Sequence, residues 1–76
     1  MWMAYRMMGL GGLVVPEQVQ QLSIGGFPLS WWASDGHGGR ISRDGCGPVF
    51  ESLDECRAHC RSANVNNPMR QYSGAE

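Results

Sequence analysis

Three cysteines and two histidines are the residues of this 76-residue chain best suited to metal binding or catalysis. Cys56 and Cys60 lie four residues apart, so on a helix both thiols would face the same side, a usable geometry for two zinc ligands. Cys46 and His37 precede them in loop-like sequence and could complete a site. The chain has no Cys-x-x-Cys knuckle, so the metal signal is weak, and a disulfide between two of the cysteines is a further alternative.

We favour a structural role for the two cysteines of the predicted helix. They lie on an apolar stripe with Leu53 and Ala63, at successive spacings of three, four and three. A free cysteine packs as a small hydrophobic residue. We therefore predict no metal and no cofactor, with three free thiols. If a metal were bound, its candidate ligands would be Cys46, Cys56, Cys60 and His37.

A catalytic pair is the second kind of chemistry to consider. Cys46 and His37 could act as nucleophile and base, but a short hairpin offers little to orient the pair or to exclude water. The DGHGG loop around His37 lacks the Gly-Lys-Ser/Thr ending of a phosphate loop. Its Asp-Gly pair and following glycines are typical of a hairpin turn. We interpret the loop as a turn and predict that the protein is not an enzyme.

The adjacent tryptophans Trp31 and Trp32 are better functional candidates. Neighbouring residues on a strand point to opposite faces, so one indole can fill the core while the other faces outward. An exposed tryptophan near Phe27 and Arg40 has the aromatic and arginine composition of binding hot spots. The predicted interface residues are Trp32, Trp31, Phe27, Arg40 and Arg43.

The pattern of neighbouring apolar residues suggests which tryptophan is buried. Leu29 and Ile41 are expected to point inward, and Trp31 shares the face of Leu29. We therefore predict Trp31 as the core residue and Trp32 as the interface anchor.

The elements that position these residues follow from local sequence. Residues 2–8 alternate as a strand would, with a short helix as the competing interpretation. Residues 16–23 (PEQVQQLS) predict one or two helical turns, because a proline precedes a glutamate and two apolar residues lie three apart. Residues 28–34 and 40–42 are predicted to form a hairpin across the DGHGG turn.

The strongest local signal is the segment VFESLDECRAHCRSAN. Ser52 and Glu55, three residues apart, form a capping box. Acidic residues lie in the first turn and basic residues lie late, as the helix dipole favours. Asn64 is expected to end the helix in a left-handed conformation. The pattern predicts a helix over Leu53–Ala63.

These elements predict one small α+β domain over residues 1–65. A short antiparallel hairpin or sheet of two or three strands would pack against the single capped C-terminal helix. Residues 66–76 lack apolar periodicity and are predicted to be a flexible tail.

The segment CGPVFESLDECRAHC resembles the C-terminal end of a Kunitz-type protease inhibitor, where Cys-Gly and Phe-x-Ser precede a Glu-Cys-x-x-x-Cys helix. The resemblance implies a secreted disulfide miniprotein. Kunitz domains have six cysteines and this chain has three, and the cysteine that anchors the family's reactive loop has no counterpart. We attribute the likeness to a shared local structure, a strand leading into a capped helix. The matching residues are Cys46, Gly47, Phe50, Ser52, Glu55, Cys56 and Cys60.

Charge and hydropathy narrow the range of partners. The net charge is −1, with six basic residues, all arginine, against seven acidic ones, and such a balance argues against generic coating of nucleic acid. The apolar run from Met7 to Val15 is shorter than the roughly 20 residues of a membrane span. It also lacks the cleavage pattern of a signal peptide. We expect a cytoplasmic protein without a membrane partner.

Three function classes remain after these exclusions. The leading hypothesis is a non-enzymatic module that occupies a surface on a larger protein or complex, as phage and mobile-element inhibitors of host machinery do, anti-CRISPR proteins included. A homodimer is compatible with it. The second is a nucleic-acid-binding accessory protein that would place Arg40, Arg43, Arg57 and Arg61 on phosphates and a tryptophan on a base. Nucleic acid is not expected to be its sole partner. The third is a secreted disulfide or zinc miniprotein.

Overall fold

The computed structural model describes residues 1–69, which form two three-stranded antiparallel sheets and one α-helix. This architecture confirms the predicted α+β class. The strands are β1 (Trp2–Met7), β2 (Leu13–Gln18), β3 (Gln20–Ile24), β4 (Phe27–Ser34), β5 (Arg40–Ser42) and β6 (Val49–Phe50). Sheet 1 has the strand order β2-β1-β6 and sheet 2 has the order β3-β4-β5. The helix is α1 (Leu53–Ala63), and a short 3₁₀ helix at Met8–Leu10 follows β1.

Helix α1 has the predicted bounds and the predicted N-cap. The Ser52 hydroxyl oxygen accepts hydrogen bonds from the backbone nitrogens of Asp54 and Glu55, at 3.2 and 3.4 Å. Cys56 and Cys60 are fully buried. They share a cluster with Ala4 and Val14, against which Trp2 and Phe50 also pack.

The surface that α1 covers differs from the prediction. We expected the helix to pack against the hairpin around the DGHGG loop, but it packs on sheet 1. Ala4 of β1 and Val14 of β2 supply its contacts. Residues 2–8 are therefore central, because β1 is the middle strand of this sheet. Local sequence could not predict this packing, because β1 and α1 lie at opposite ends of the described sequence.

The predicted helical turns at residues 16–23 are wrong, because this segment belongs to two strands. Pro16 lies opposite Ala4 in the pairing of β2 with β1. Because β2 is an edge strand, one of its sides has no neighbouring strand, and a proline there, which lacks an N–H, loses no hydrogen bond of the sheet. Val19, between β2 and β3, is buried and donates its N–H to the carbonyl of Met1 at 2.9 Å. Strand pairing overrides the local helix signal here.

Sheet 1 is the middle layer of the molecule. On the side away from α1, a second cluster of buried residues joins the two sheets: Met3 of β1, Val19, and Ala33 of β4. Trp31, Cys46 and Val49 pack against this cluster. The layers therefore run from α1 through sheet 1 to the base of sheet 2.

Asn64 ends α1 in a different way from the predicted left-handed cap. Its backbone angles are φ −96° and ψ 4°. Its buried side chain forms two hydrogen bonds with Val14, accepting from the backbone nitrogen at 2.8 Å and donating to the carbonyl at 2.6 Å. The amide thus takes the place of a neighbouring strand at the edge of β2. Farther on, Asn67 Nδ2 donates to the carbonyl of Gly11 at 3.3 Å, and residues 70–76 of the predicted tail lie outside the described residues.

Candidate interaction surface

A register shift between β3 and β4 determines which side chains of sheet 2 share a face. Gln20 and Gln21 pair with Trp32 and Trp31, whereas Ile24 pairs with Phe27. Leu22 is therefore opposite two β4 residues instead of one, the arrangement of a β-bulge. The extra residue of the bulge interrupts the alternation of side chains along β4. We therefore assign side chains to the two faces of sheet 2 from β3, which has no extra residue.

Alternation along β3 places Gln20, Leu22 and Ile24 on one face. Cross-strand partners share a face, so Trp32 joins this set opposite Gln20, and Phe27 joins it opposite Ile24. Ser34 is two residues beyond Trp32 and pairs with Arg40 of β5. The other face of sheet 2 carries Trp31 and Ala33 into the core. We call the first set the outer face: Gln20, Leu22, Ile24, Phe27, Trp32 and Arg40.

The outer face is apolar at the tip of the β3–β4 hairpin. Ile24 and Phe27 are 71% and 76% exposed although they lie side by side. Gly25 and Gly26 between them both have positive φ, 58° and 85°, as a two-residue type I′ turn requires. No charged side chain occurs between Glu17 and Asp35. The hairpin therefore presents an uncharged apolar surface to solvent.

A groove with a volume of about 690 Å³ lies where the base of the outer face meets the end of β2. It is lined by Trp32, Gln20 and Arg40, by residues of the DGHGG loop, and on its other side by Met1, Glu17, Gln18 and Val19. With the Gln20 amide oxygen turned toward Arg40, the two Nη atoms of Arg40 donate to it at 2.7 and 3.3 Å. The buried indole N–H of Trp32 has no acceptor within residues 1–69.

Burial alone does not separate the two tryptophans, since both are half-buried. Their surroundings differ, because Trp31 packs on the cluster of Met3, Val19 and Ala33 whereas Trp32 lines the groove. Neither neighbour on which this assignment rested is buried, since Leu29 is 40% and Ile41 39% exposed, although Ile41 pairs with Ala33 and so shares its face. Leu29 lies in the bulge region of β4 and Ile41 lies on an edge strand.

Arg43, a predicted interface residue, joins the two sheets instead. Its Nε and Nη2 donate to the two carboxylate oxygens of Glu17 at 2.8 and 2.9 Å. The guanidinium carbon lies 4.3 Å from the centre of the Tyr5 ring. The hydrogen bond to Glu17 raises the pKa of Arg43 above its ordinary value. Arg40 is therefore the arginine on the outer face, whereas Arg43 lies between the two sheets in contact with Glu17 and Tyr5.

The candidate metal ligands are not brought together. Cys46 packs on the cluster between the sheets, whereas Cys56 and Cys60 lie beneath α1 on the other side of sheet 1. All three thiols are free. Burial raises the pKa of Cys60 to about 12. Within residues 1–69, no group of three or more His, Cys, Asp or Glu side chains is placed to hold a metal ion.

The DGHGG loop is organised by its own aspartate. Asp35 Oδ1 accepts from the backbone nitrogens of His37 and Gly39, at 2.7 and 3.0 Å. Gly36 and Gly38 have positive φ, 84° and 88°. His37 is exposed. The loop connects β4 and β5 as the predicted turn and contributes one wall of the groove.

The arginines proposed for nucleic-acid contact do not share a surface. Arg57 and Arg61 are exposed on α1, on the far side of sheet 1 from sheet 2. Arg43 is paired with Glu17, which leaves Arg40 on the outer face. These four arginines therefore do not form one continuous basic track for a phosphate backbone.

Sequence reasoning missed Leu22 because residues 16–23 were interpreted as helix, and Ile24 because it directly follows that segment. A signal was present, since Gly25-Gly26 between apolar residues is typical of a two-residue hairpin turn.

Comparisons of the chain with protein-family models, with characterised proteins and with solved structures gave no match. No helix within residues 1–69 has the length and apolar character needed to cross a bilayer.

Proposed function

We propose that this protein is a non-enzymatic binding module that occupies a surface on a larger protein through its outer face. The main observation in support of this proposal is that Ile24 and Phe27 are both exposed and share a face with Trp32 and Arg40. Large exposed apolar side chains in one patch are typical of interaction sites. Aromatic residues and arginine supply most of the binding energy in many interfaces.

The arrangement of the patch favours a protein over a lipid surface. Stable attachment to a bilayer needs a second signal besides a few apolar side chains, commonly a basic cluster. The outer face carries a single arginine, Arg40, and its guanidinium contacts Gln20. A protein surface, in contrast, can contact both the apolar tip and the groove beside Trp32.

The biological role that fits this proposal is inhibition by obstruction. A small cytoplasmic module without catalytic chemistry can act by covering a functional surface of a larger complex. Phage and mobile-element products that block host machinery, anti-CRISPR proteins among them, work in this way, and we place the protein in that class.

The test uses matched surface variants of the full chain. Phe27→Ser and Trp32→Ala remove outer-face anchors, and Met8→Ser is the control because Met8 is 78% exposed but lies outside the outer face. Each immobilised variant is incubated with extract from the native host, and retained proteins are purified for binary titration. We expect Phe27→Ser to weaken binding by about 2 kcal/mol or more, with Met8→Ser unchanged.

Two results would contradict the proposal. The first is a binary complex that is insensitive to both outer-face substitutions. The second is Phe27-dependent binding to neutral phosphatidylcholine vesicles with no protein partner, which would make the hairpin tip a lipid anchor.

A further inference from the structure

We propose that, in the free protein, a second copy of this chain occupies the outer face. The two outer faces pack against each other about a two-fold axis, and this dimer competes with the larger partner. The competition rests on the proposed function, whereas the dimer itself does not.

The layer arrangement of the described part of the chain leaves one face of sheet 2 uncovered. Sheet 1 is covered by α1 on one side and by the base of sheet 2 on the other. Among residues 1–69, sheet 2 is covered only on the face of Trp31 and Ala33. An apolar sheet face is stabilised when another layer packs on it. A second sheet does so face to face at a separation of about 10 Å.

The charge distribution suits a second copy. A two-fold interface places the same surface on both sides, so any charge within it is opposed by a like charge near the axis. The hairpin avoids that cost, because no charged residue lies between Glu17 and Asp35. With the strands of the two copies antiparallel, the apolar tip of each hairpin lies over the base of the other. The two Arg40 side chains are then at opposite ends of the interface.

The size of the face sets the strength of the dimer. Strand β4 has eight residues, so the face is roughly 26 Å long and about 14 Å wide at ordinary strand dimensions. This footprint is well below the roughly 800 Å² per partner of a standard stable interface. We therefore infer a weak, concentration-dependent dimer that a tighter partner can displace.

Sedimentation equilibrium of the full chain over a range of concentrations tests the dimer. We expect the weight-average mass to rise from one chain toward two. The double variant Ile24→Ser, Phe27→Ser should raise the dissociation constant at least tenfold, while Met8→Ser leaves it unchanged. Circular dichroism checks that each variant is folded. A wild-type chain that stays monomeric at every concentration would overturn the proposal, as would a dimer that persists in the double variant.

A photo-reactive phenylalanine analogue tests the geometry without removing side-chain bulk. At position 27 we expect a crosslink to the segment around Trp32 of the second copy, identified by mass spectrometry. The same analogue at position 8 is the control. Crosslinks that join position 27 only to α1 of the second copy would contradict face-to-face packing.

The two proposals fail in distinguishable ways. If the chain is monomeric but Phe27→Ser still abolishes partner binding, the dimer is wrong and the proposed function stands. If the dimer forms but partner binding is independent of Phe27, the dimer stands and the proposed function is wrong. Competition itself predicts that the fraction of chains able to bind partner falls as the protein concentration rises.

Discussion

Trp31 and Trp32 are adjacent on β4 but have different neighbours, so their substitutions should have different effects. Trp31→Ala removes a large side chain from the cluster of Met3, Val19 and Ala33. We expect it to lower the free energy of unfolding by about 3 kcal/mol, as large-to-small core substitutions do. Chemical denaturation of the variant measures this. An unchanged midpoint would show that Trp31 is not part of the core.

The indole N–H of Trp32 leads to a second expectation. Trp32→Phe keeps an aromatic ring but removes a buried donor that has no acceptor within residues 1–69. Removing an unpaired polar group from a buried site costs little and can stabilise. We expect the free energy of unfolding to stay within about 1 kcal/mol of wild type. A marked loss of stability would indicate that the N–H has an acceptor in solution.

The cysteines should differ in reactivity and in their response to alkaline pH. Cys46 is half-buried and should react first with a thiol reagent, whereas Cys56 and Cys60 should react only on unfolding. The folded-state pKa of Cys60 is raised from 9.0 to about 12. Above pH 9 the unfolded chain therefore loses this proton more readily than the folded chain, and stability falls as the pH rises from 9 toward 12.

Cys60→Ala tests the alkaline effect. The variant should lose about 1 kcal/mol at neutral pH but show a smaller further loss between pH 9 and pH 12 than wild type, both measured in reductant. Equal alkaline losses in the two proteins would rule out Cys60 as a source. Cys60→Ser should cost more than Ala at neutral pH, because a buried hydroxyl needs a hydrogen-bond partner.

At the level of elements, the sequence predicts α1 to the residue and misassigns β2 and β3. The helix is predictable because its signals are local: Ser52 caps it, and Cys56 and Cys60 lie on one stripe. The sheets depend on partners far away in sequence, such as Trp2 with Phe50. Local pattern cannot identify such partners, and Pro16 suggested a helix start where it occupies an edge strand.

The same distinction applies to the candidate site. Phe27, Trp32 and Arg40 were predictable from residue type and strand alternation. Ile24 was not, because it lies on the strand misread as helix. Arg43 was assigned to the interface because its partner Glu17, 26 residues away, is not visible from local sequence.

Asn64 connects the end of α1 to the edge of sheet 1, and its replacement should weaken both. Asn64→Ala leaves the N–H and the carbonyl of Val14 without their partner in a buried position. We expect a loss of about 2–3 kcal/mol in the free energy of unfolding. Asn64→Asp retains the acceptor but removes the donor. Comparing the thermal unfolding midpoints of Asn64→Asp and Asn64→Ala therefore separates the effect of the donor from that of the whole amide. Similar stability of wild type and Asn64→Ala would contradict this role.

At the scale of the whole molecule, the Arg43–Glu17 pair fastens sheet 2 to sheet 1. Arg43→Gln removes the bidentate contact and the contact with the Tyr5 ring. We expect amide hydrogen exchange to accelerate more in β3 and β4 than in β1 and β2, because sheet 2 then loses one of its links to sheet 1. Uniform acceleration in both sheets would indicate that they open as a single unit.

The route of the chain through the two sheets has a consequence for synthesis. Sheet 1 and its helix are formed by the two ends of the described chain, and a hydrogen bond between Val14 and Asn64 joins them. The strands of sheet 2 lie between these two ends in the sequence. During translation the β3–β4 hairpin is complete before the strand and helix that finish sheet 1 have been made. Its apolar tip is then displayed on a nascent chain that lacks a finished core, the state in which exposed surface invites aggregation.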